Sequence, residues 1–178
     1  MFVKSLLALM SRVLVAATMH LHDGVKPTGR IRWHFVDANG SIHAPDGTLY
    51  GTGVTTNMVV TSGQTYCAQR FIDNTVAAVS HVAIGSSNAA PALGQVALDT
   101  ETARAALSTK TNAANVSTVI GTIPAGTGPG PVEEVGLFNA AAGPTMIARA
   151  LTGTINKPAG LGLQFTWGVT HGEGNTWA

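Results

Sequence analysis

The chain has 178 residues, the size of one domain, and a net charge of +1 from 10 basic and 9 acidic side chains. Charged residues make up only 11% and hydrophobic residues 45%, which excludes an intrinsically disordered chain and gives no electrostatic basis for binding nucleic acid. The 21 glycines and the aromatic content of 6% favour a β protein built from small side chains. A surface with so few charges leaves apolar area exposed, so we expect other subunits to cover much of it.

The first 25 residues form a segment of their own, for which helical spacing predicts an amphipathic helix. Its broad apolar face consists of Val3, Leu6, Leu7, Met10, Val13 and Leu14. Arg12 divides the apolar stretch into parts too short for a signal peptide, and a membrane span needs about 20 apolar residues. Lys4 and Arg12 are the only cations on the polar face, which makes binding to a membrane surface the weakest alternative. We expect the helix to pack on its own domain or to anchor the protein on a partner, with the six apolar residues as the interface.

The first strand of the β domain, residues 26–178, is predicted from Gly29 to Asp37, where the apolar spacing changes to two. Its apolar face carries Ile31, Trp33 and Phe35. Residues 37–40, Asp-Ala-Asn-Gly, are typical of a turn, and residues 41–43 are predicted to return as the second strand of a hairpin.

A short helix is predicted from Thr61 to about Ile72, because Thr61 and Gln64 have the spacing of a capping box. Cys67, the chain's single cysteine, falls inside this helix, so it forms no intrachain disulfide and is interpreted as a small buried hydrophobic residue. The apolar run at residues 76–84 predicts a central strand, and a loop of small residues follows it.

The second half of the chain has further strand patterns, separated by Gly- and Pro-rich breakers. Strands are predicted at residues 116–123, 132–138, 145–151 and 161–170. In the last of them Phe165 and Trp167 belong to an apolar face, and we expect these two residues to lie in the core together with Trp33 and Phe35 of the first strand. The total of seven or eight strands predicts a mainly β fold, an antiparallel sandwich or jelly roll with one short helix.

The search for catalytic, cofactor-binding and metal-binding residues finds no candidate above background. His20 and His22 have the spacing of paired metal ligands on a strand, but no carboxylates accompany them in a ligand pattern, so we predict no metal and no cofactor. Glu133 and Glu134 point to opposite faces of a strand and cannot act together as acid and base; one of them is expected to face water and the other to cap a loop or pair with Arg149 across a hairpin. The Gly-rich segments lack a P-loop lysine. We therefore predict that the protein is not an enzyme.

The order of several segments resembles that of small structural proteins of tailed bacteriophages. The similarity covers residues 29–171, and its departures are Gly85-Ser-Ser where the family has Gly-Thr-Gly, and a distinct N-terminus. The segments that carry it are residues 36–40 (VDANG), 56–63 (TNMVVTSG), 81–91 (HVAIGSSNAAP), 98–104 (LDTETAR), 132–140 (VEEVGLFNA), 146–149 (MIAR), 155–158 (INKP) and 165–170 (FTWGVT).

This resemblance implies a jelly-roll-like virion module with a building role. The leading interpretation is a capsid decoration or cement protein, or another head-associated protein. It would be assembled in the bacterial cytoplasm as a homo-oligomer, most simply a trimer, with the major capsid protein or other virion proteins as partners and neither nucleic acid nor a membrane. A tail fibre, collar or baseplate adaptor is the alternative. From a different class, a carbohydrate-binding module would expose aromatic side chains, and Trp177 is its one free candidate.

Overall fold

The computed structural model describes residues 28–42, 44 and 48–171 and contains, within them, eight β-strands and one α-helix. The elements are β1 (Thr28–Val36), β2 (Thr52–Val59), α1 (Thr61–Ile72), β3 (His81–Gly85), β4 (Glu101–Ala113), β5 (Val116–Ile123), β6 (Gly130–Phe138), β7 (Met146–Lys157) and β8 (Gly162–Thr170). The mainly β prediction is therefore confirmed. The predicted N-terminal helix, with its six interface residues, lies outside the described residues.

The eight strands form one closed antiparallel barrel in the order β1-β2-β7-β6-β3-β4-β5-β8. Closure depends on β1, which pairs with β2 on one side and with β8 along its whole length on the other, from Thr28 opposite Thr170 to Val36 opposite Gly162. The predicted sandwich or jelly roll is thus not confirmed. Alternating apolar residues build the inner face of a sandwich and of a barrel equally well, so the sequence pattern does not distinguish the two.

The barrel interior holds the alternating side chains that the sequence assigned to the core. Phe165 and Trp167 are fully buried, and Phe35 is nearly so. The indole Nε1 of Trp167 donates a hydrogen bond to Oδ1 of Asn57, 3.1 Å away. Trp33 is only partly buried, because its ring lies at the edge of the core and packs on the backbone of β2.

Three strands differ from the sequence prediction. The partner of β1 is β2, a strand that the sequence pattern does not predict, rather than residues 41–43, of which His43 lies outside the described residues. The central strand begins only at His81, since residues 76–80 run as irregular backbone from α1 to β3. β4 was also not identified, because the Ala, Thr and Ser in its sequence give no alternation of large apolar and polar residues.

Helix α1 has the predicted bounds, but the predicted capping box is wrong. No side chain caps its N-terminus; instead the Thr61 amide donates to the carbonyl of Leu93, 2.8 Å away, so the loop after β3 supplies the acceptor. Gly63 lies directly against the carbonyl of Ile147 on β7, where no larger residue fits without a shift. This close contact seats α1 across the end of the barrel at which β8 finishes and β1, β5 and β7 begin.

Candidate functional site

A buried ion pair links β6 and β7 on the outer side of the barrel. The Nε atom of Arg149 donates to Oε2 of Glu134 at 2.7 Å, and both side chains are fully buried. The prediction that one residue of the Glu133–Glu134 pair would bond Arg149 is therefore confirmed. Glu133 is half-buried and accepts a hydrogen bond from the hydroxyl of Thr154.

The ion pair also fastens the long loop between β3 and β4. Arg149 donates from Nη2 to Asp99 and from Nη1 to Gln95, each at 3.0 Å. The carboxylate of Glu134 accepts from the backbone amides of Asp99, at 3.2 Å, and Thr100, at 2.8 Å. Every one of these bonds is internal, so the cluster stabilises the loop and offers no free base or cation to a substrate.

Two other cations are also held by acceptors of the fold itself. Lys157 is buried, and its Nζ donates to the carbonyls of Pro124, at 3.0 Å, and Leu161, at 2.9 Å; burial lowers the pKa of this amine. Arg104 makes two hydrogen bonds to Glu101, and its guanidinium lies 3.9 Å from the centre of the Phe138 ring. Several of the chain's few charged side chains therefore bond to other groups of the barrel.

A cavity of about 360 Å³ lies between α1 and the end of the barrel. Helix residues and the irregular segment before β3 form one wall, and interior side chains of the barrel form the other. The apolar lining consists of Tyr66, Cys67, Phe71, Ala78, Val79, Val119, Leu137, Ile147 and Val169. The polar lining consists of Arg70, Ser117 and His171. The predicted buried position of Cys67 is only partly met, because the residue is half-buried at this cavity and burial raises the pKa of its thiol.

Ser117 and His171 form a hydrogen-bonded pair at the cavity, with Oγ 3.1 Å from Nε2. A serine nucleophile in a catalytic triad needs a histidine that a carboxylate orients. Within residues 28–42, 44 and 48–171, no carboxylate hydrogen-bonds to His171. The pair therefore supplies polar contacts at the cavity, and the described geometry gives it no further chemistry.

The described histidines do not converge on a metal site. His34 hydrogen-bonds to Gln164 at 3.0 Å, and His81 bonds Ser80 at 2.8 Å. No three metal-ligating side chains come together among the residues that the structure describes. His20 and His22 lie outside those residues.

Large apolar side chains are exposed at the end of α1 and on the loop between β3 and β4. Phe71 and Ile72, at the end of the helix, are 92% and 84% exposed. Leu93 and Val96, on the loop between β3 and β4, are 54% and 67% exposed. Exposed apolar side chains are common singly on monomers, but Phe71 and Ile72 are adjacent, and Phe71 also lines the apolar cavity.

Comparisons with known proteins give no relative from which to transfer a function. No protein-family model matches the chain, and no curated protein or solved structure matches it either. Of the helical residues that the structure describes, none belong to a helix with the length and apolarity required to cross a membrane.

Proposed function

We propose that this chain is a structural protein of a bacteriophage particle, and that it acts as a decoration or cement protein on the head. It would bind the outer surface of the capsid and hold neighbouring capsomers together by burying apolar area. The relation of its barrel to jelly-roll-like virion modules is part of this proposal and depends on the sequence motifs quoted above. We propose no catalytic step for it.

The observation that supports a building role is the contrast between the chain's charges and its apolar surface. The Glu134–Arg149 pair and Lys157 are buried and hydrogen-bonded within the fold, whereas Phe71 and Ile72 are almost completely exposed. A protein that works as a free monomer gains solubility from the reverse arrangement. A subunit of a large assembly instead covers such apolar groups with its neighbours, which is what a capsid component requires.

Self-association is part of the proposal. The apolar face of residues 3–14 would contact a partner, and a closed homotrimer would give each copy the same neighbour. Complete burial of each such side chain contributes at most about 1.5–3 kcal/mol before the cost of ordering the segment is subtracted. Burial of these six side chains is the contact on which the proposed self-association depends.

A tail fibre, collar or baseplate adaptor is the second candidate, and the same surface supports it. The two candidates differ in copy number, since a head protein repeats with the capsid lattice and a tail component does not. A carbohydrate-binding module is less well supported. Trp167 lies inside the barrel and Trp33 is partly buried against it, so neither ring is presented as a sugar-binding platform; Trp177 lies outside the described residues.

The experiment is to quantify this chain by mass spectrometry in purified phage particles, relative to the major capsid protein. On the order of hundreds of copies per particle would support head decoration, and about a dozen or fewer would support a tail or neck component.

Mild dissociation of the particles, followed by heating, provides the functional control. Particles stripped of a cement protein release their genome at a lower temperature, whereas loss of a tail component leaves head stability unchanged. Absence of the chain from the particles would overturn the proposal.

A further inference from the structure

The cavity at the end of the barrel lies where the N-terminal segment joins the domain. Thr28, the first described residue, pairs with Thr170, and Thr170 also pairs with Val116 of β5. The next residues along those two strands, His171 and Ser117, both line the cavity. Thr28, the point at which the chain enters the barrel, therefore lies close to the cavity.

The cavity suits aliphatic side chains better than a polar ligand. Most of its lining is apolar, and the polar groups Ser117 and His171 already bond each other. A dry cavity of about 150 Å³ accommodates one benzene ring, so this volume has room for about two aliphatic side chains. The exposed ring of Phe71 at its edge and the neighbouring Ile72 extend the apolar surface beyond the cavity itself.

We infer that the apolar face of residues 3–14 of one copy docks into this cavity of a neighbouring copy and covers Phe71 and Ile72. Leu7 and Met10, at the centre of the apolar face that the sequence predicts, are the side chains that we expect to fill the cavity. The inference deepens the self-association in the proposed function and rests on it, although it does not depend on the virion role.

The length of the connection agrees with docking between copies. From Leu14 to Thr28 the chain advances 14 residues, which reach up to about 46 Å when extended. A globular chain of this size is about 40 Å across, so a touching neighbour's cavity lies within that distance. The barrel itself closes without the segment, because β1 and β8 remain paired to their ends at Thr28 and Thr170. If each copy reaches the next in the same way, the ring closes as a trimer or another cyclic oligomer.

The chain's single cysteine provides a direct test, since Cys67 lines the cavity. In the full-length chain, Met10→Cys places a second thiol on the apolar face, and a short bis-maleimide joins any two thiols that lie close together. The reaction is run at mildly alkaline pH, because burial raises the pKa of Cys67. We expect covalent dimers and trimers on a denaturing gel. The matched control, Ala8→Cys on the opposite face of the segment, and the wild-type chain should both remain monomers.

The other outcomes of the cross-linking overturn the inference. A cross-link between Cys67 and the new thiol within one chain would show that the segment fills its own cavity. Absence of any specific cross-link would show that the segment does not reach the cavity, and that another molecule or another copy's surface covers it. Because the experiment uses the purified chain, it can fail while the particle measurement succeeds, and the reverse.

A second variant tests the cavity without the segment being changed. Ala78 is exposed and lines the cavity, so the indole ring of Ala78→Trp should fill it. Ala77→Trp is the control, because Ala77 is also exposed but does not line the cavity. We expect Ala78→Trp to reduce the mass measured by sedimentation to that of a monomer and Ala77→Trp to leave the oligomer intact. Circular dichroism verifies that both variants are folded. A fully assembled Ala78→Trp protein would overturn the inference.

Discussion

Arg149 donates from Nε to the carboxylate of Glu134 at 2.7 Å, and neither side chain has any exposed surface. The two residues stand on adjacent strands of the β6–β7 hairpin, and their remaining atoms bind the loop between β3 and β4. One ion pair thus connects two strands to the loop whose Leu93 carbonyl accepts from the first amide of α1. The same loop therefore contacts both the ion pair and the first residue of the helix.

Glu134→Gln should destabilise the protein strongly, because it leaves the guanidinium of Arg149 buried without its closest anion. Removal of one partner from a buried pair costs about 3–5 kcal/mol in the free energy of unfolding. Urea denaturation measures the change. Glu133→Gln is the matched control at the neighbouring position of β6, where the half-buried carboxylate accepts a hydrogen bond from the Thr154 hydroxyl, and it should change the free energy by about 0.5 kcal/mol or less. Equal effects of the two substitutions would contradict the assigned role of Glu134.

Trp167→Ala should cost about 3–5 kcal/mol in the free energy of unfolding, because it opens a large cavity in the barrel interior. The same substitution at Trp33 should cost less, since that ring is only partly buried. Thermal melting followed by circular dichroism compares the two. An unchanged melting temperature for Trp167→Ala would show that the strand register described for β8 is wrong.

The parts of the fold that could be predicted from the sequence are those where side-chain size alternates. β1 and β8 carry large apolar residues, two of them aromatic in each strand, at every second position, so the sequence predicts their inner faces correctly. The sequence also predicted that one member of the Glu133–Glu134 pair would cap a loop or bond Arg149 across the hairpin, and in the structure that residue is Glu134. Local periodicity was sufficient for these elements.

Where tertiary contacts decide the structure, the sequence pattern was not sufficient. β4 contains mainly Ala, Thr and Ser, and its position follows from pairing with β3 and β5 rather than from its own preference. The capping box failed because the Leu93 carbonyl, distant in sequence, already accepts from Thr61. Closure of the barrel is likewise a contact between its first and last strands.

The cavity could not be predicted for the same reason. Its lining combines residues from α1, the segment before β3, and the ends of β5, β6, β7 and β8. The related sequence prediction was the apolar face of residues 3–14, which was expected to pack on its own domain or on a partner. That pattern carries no information about the position of the contacted surface. Cys67 was identified only as apolar in character, and its position on that surface depends on how α1 is seated.

Gly63→Ala should destabilise the protein, although alanine is the better helix former by about 1 kcal/mol. A Cβ at this position would lie far too close to the Ile147 carbonyl, so α1 would have to move away from β7. Gly94→Ala is the control, because nothing lies near the added methyl group there and its effect should be close to neutral. Chemical denaturation gives both values. A stabilised Gly63→Ala protein would show that the helix does not contact the barrel so closely.

His81 should make the fold more stable at neutral than at mildly acidic pH. Its pKa is lowered from the usual value near 6.5 by burial and, to a smaller extent, by the positive charge of Arg104. In this pH range the unfolded chain binds the proton more readily, so the free energy of unfolding contributed by His81 is complete above about pH 6.5 and decreases as the pH falls through the folded-state pKa. Urea denaturation of the wild type and of His81→Gln, each between about pH 5 and 8, isolates this effect, because the other titrating groups are common to both. We expect the wild type to lose stability relative to the variant as the pH falls, and a difference that does not change with pH would contradict the assignment.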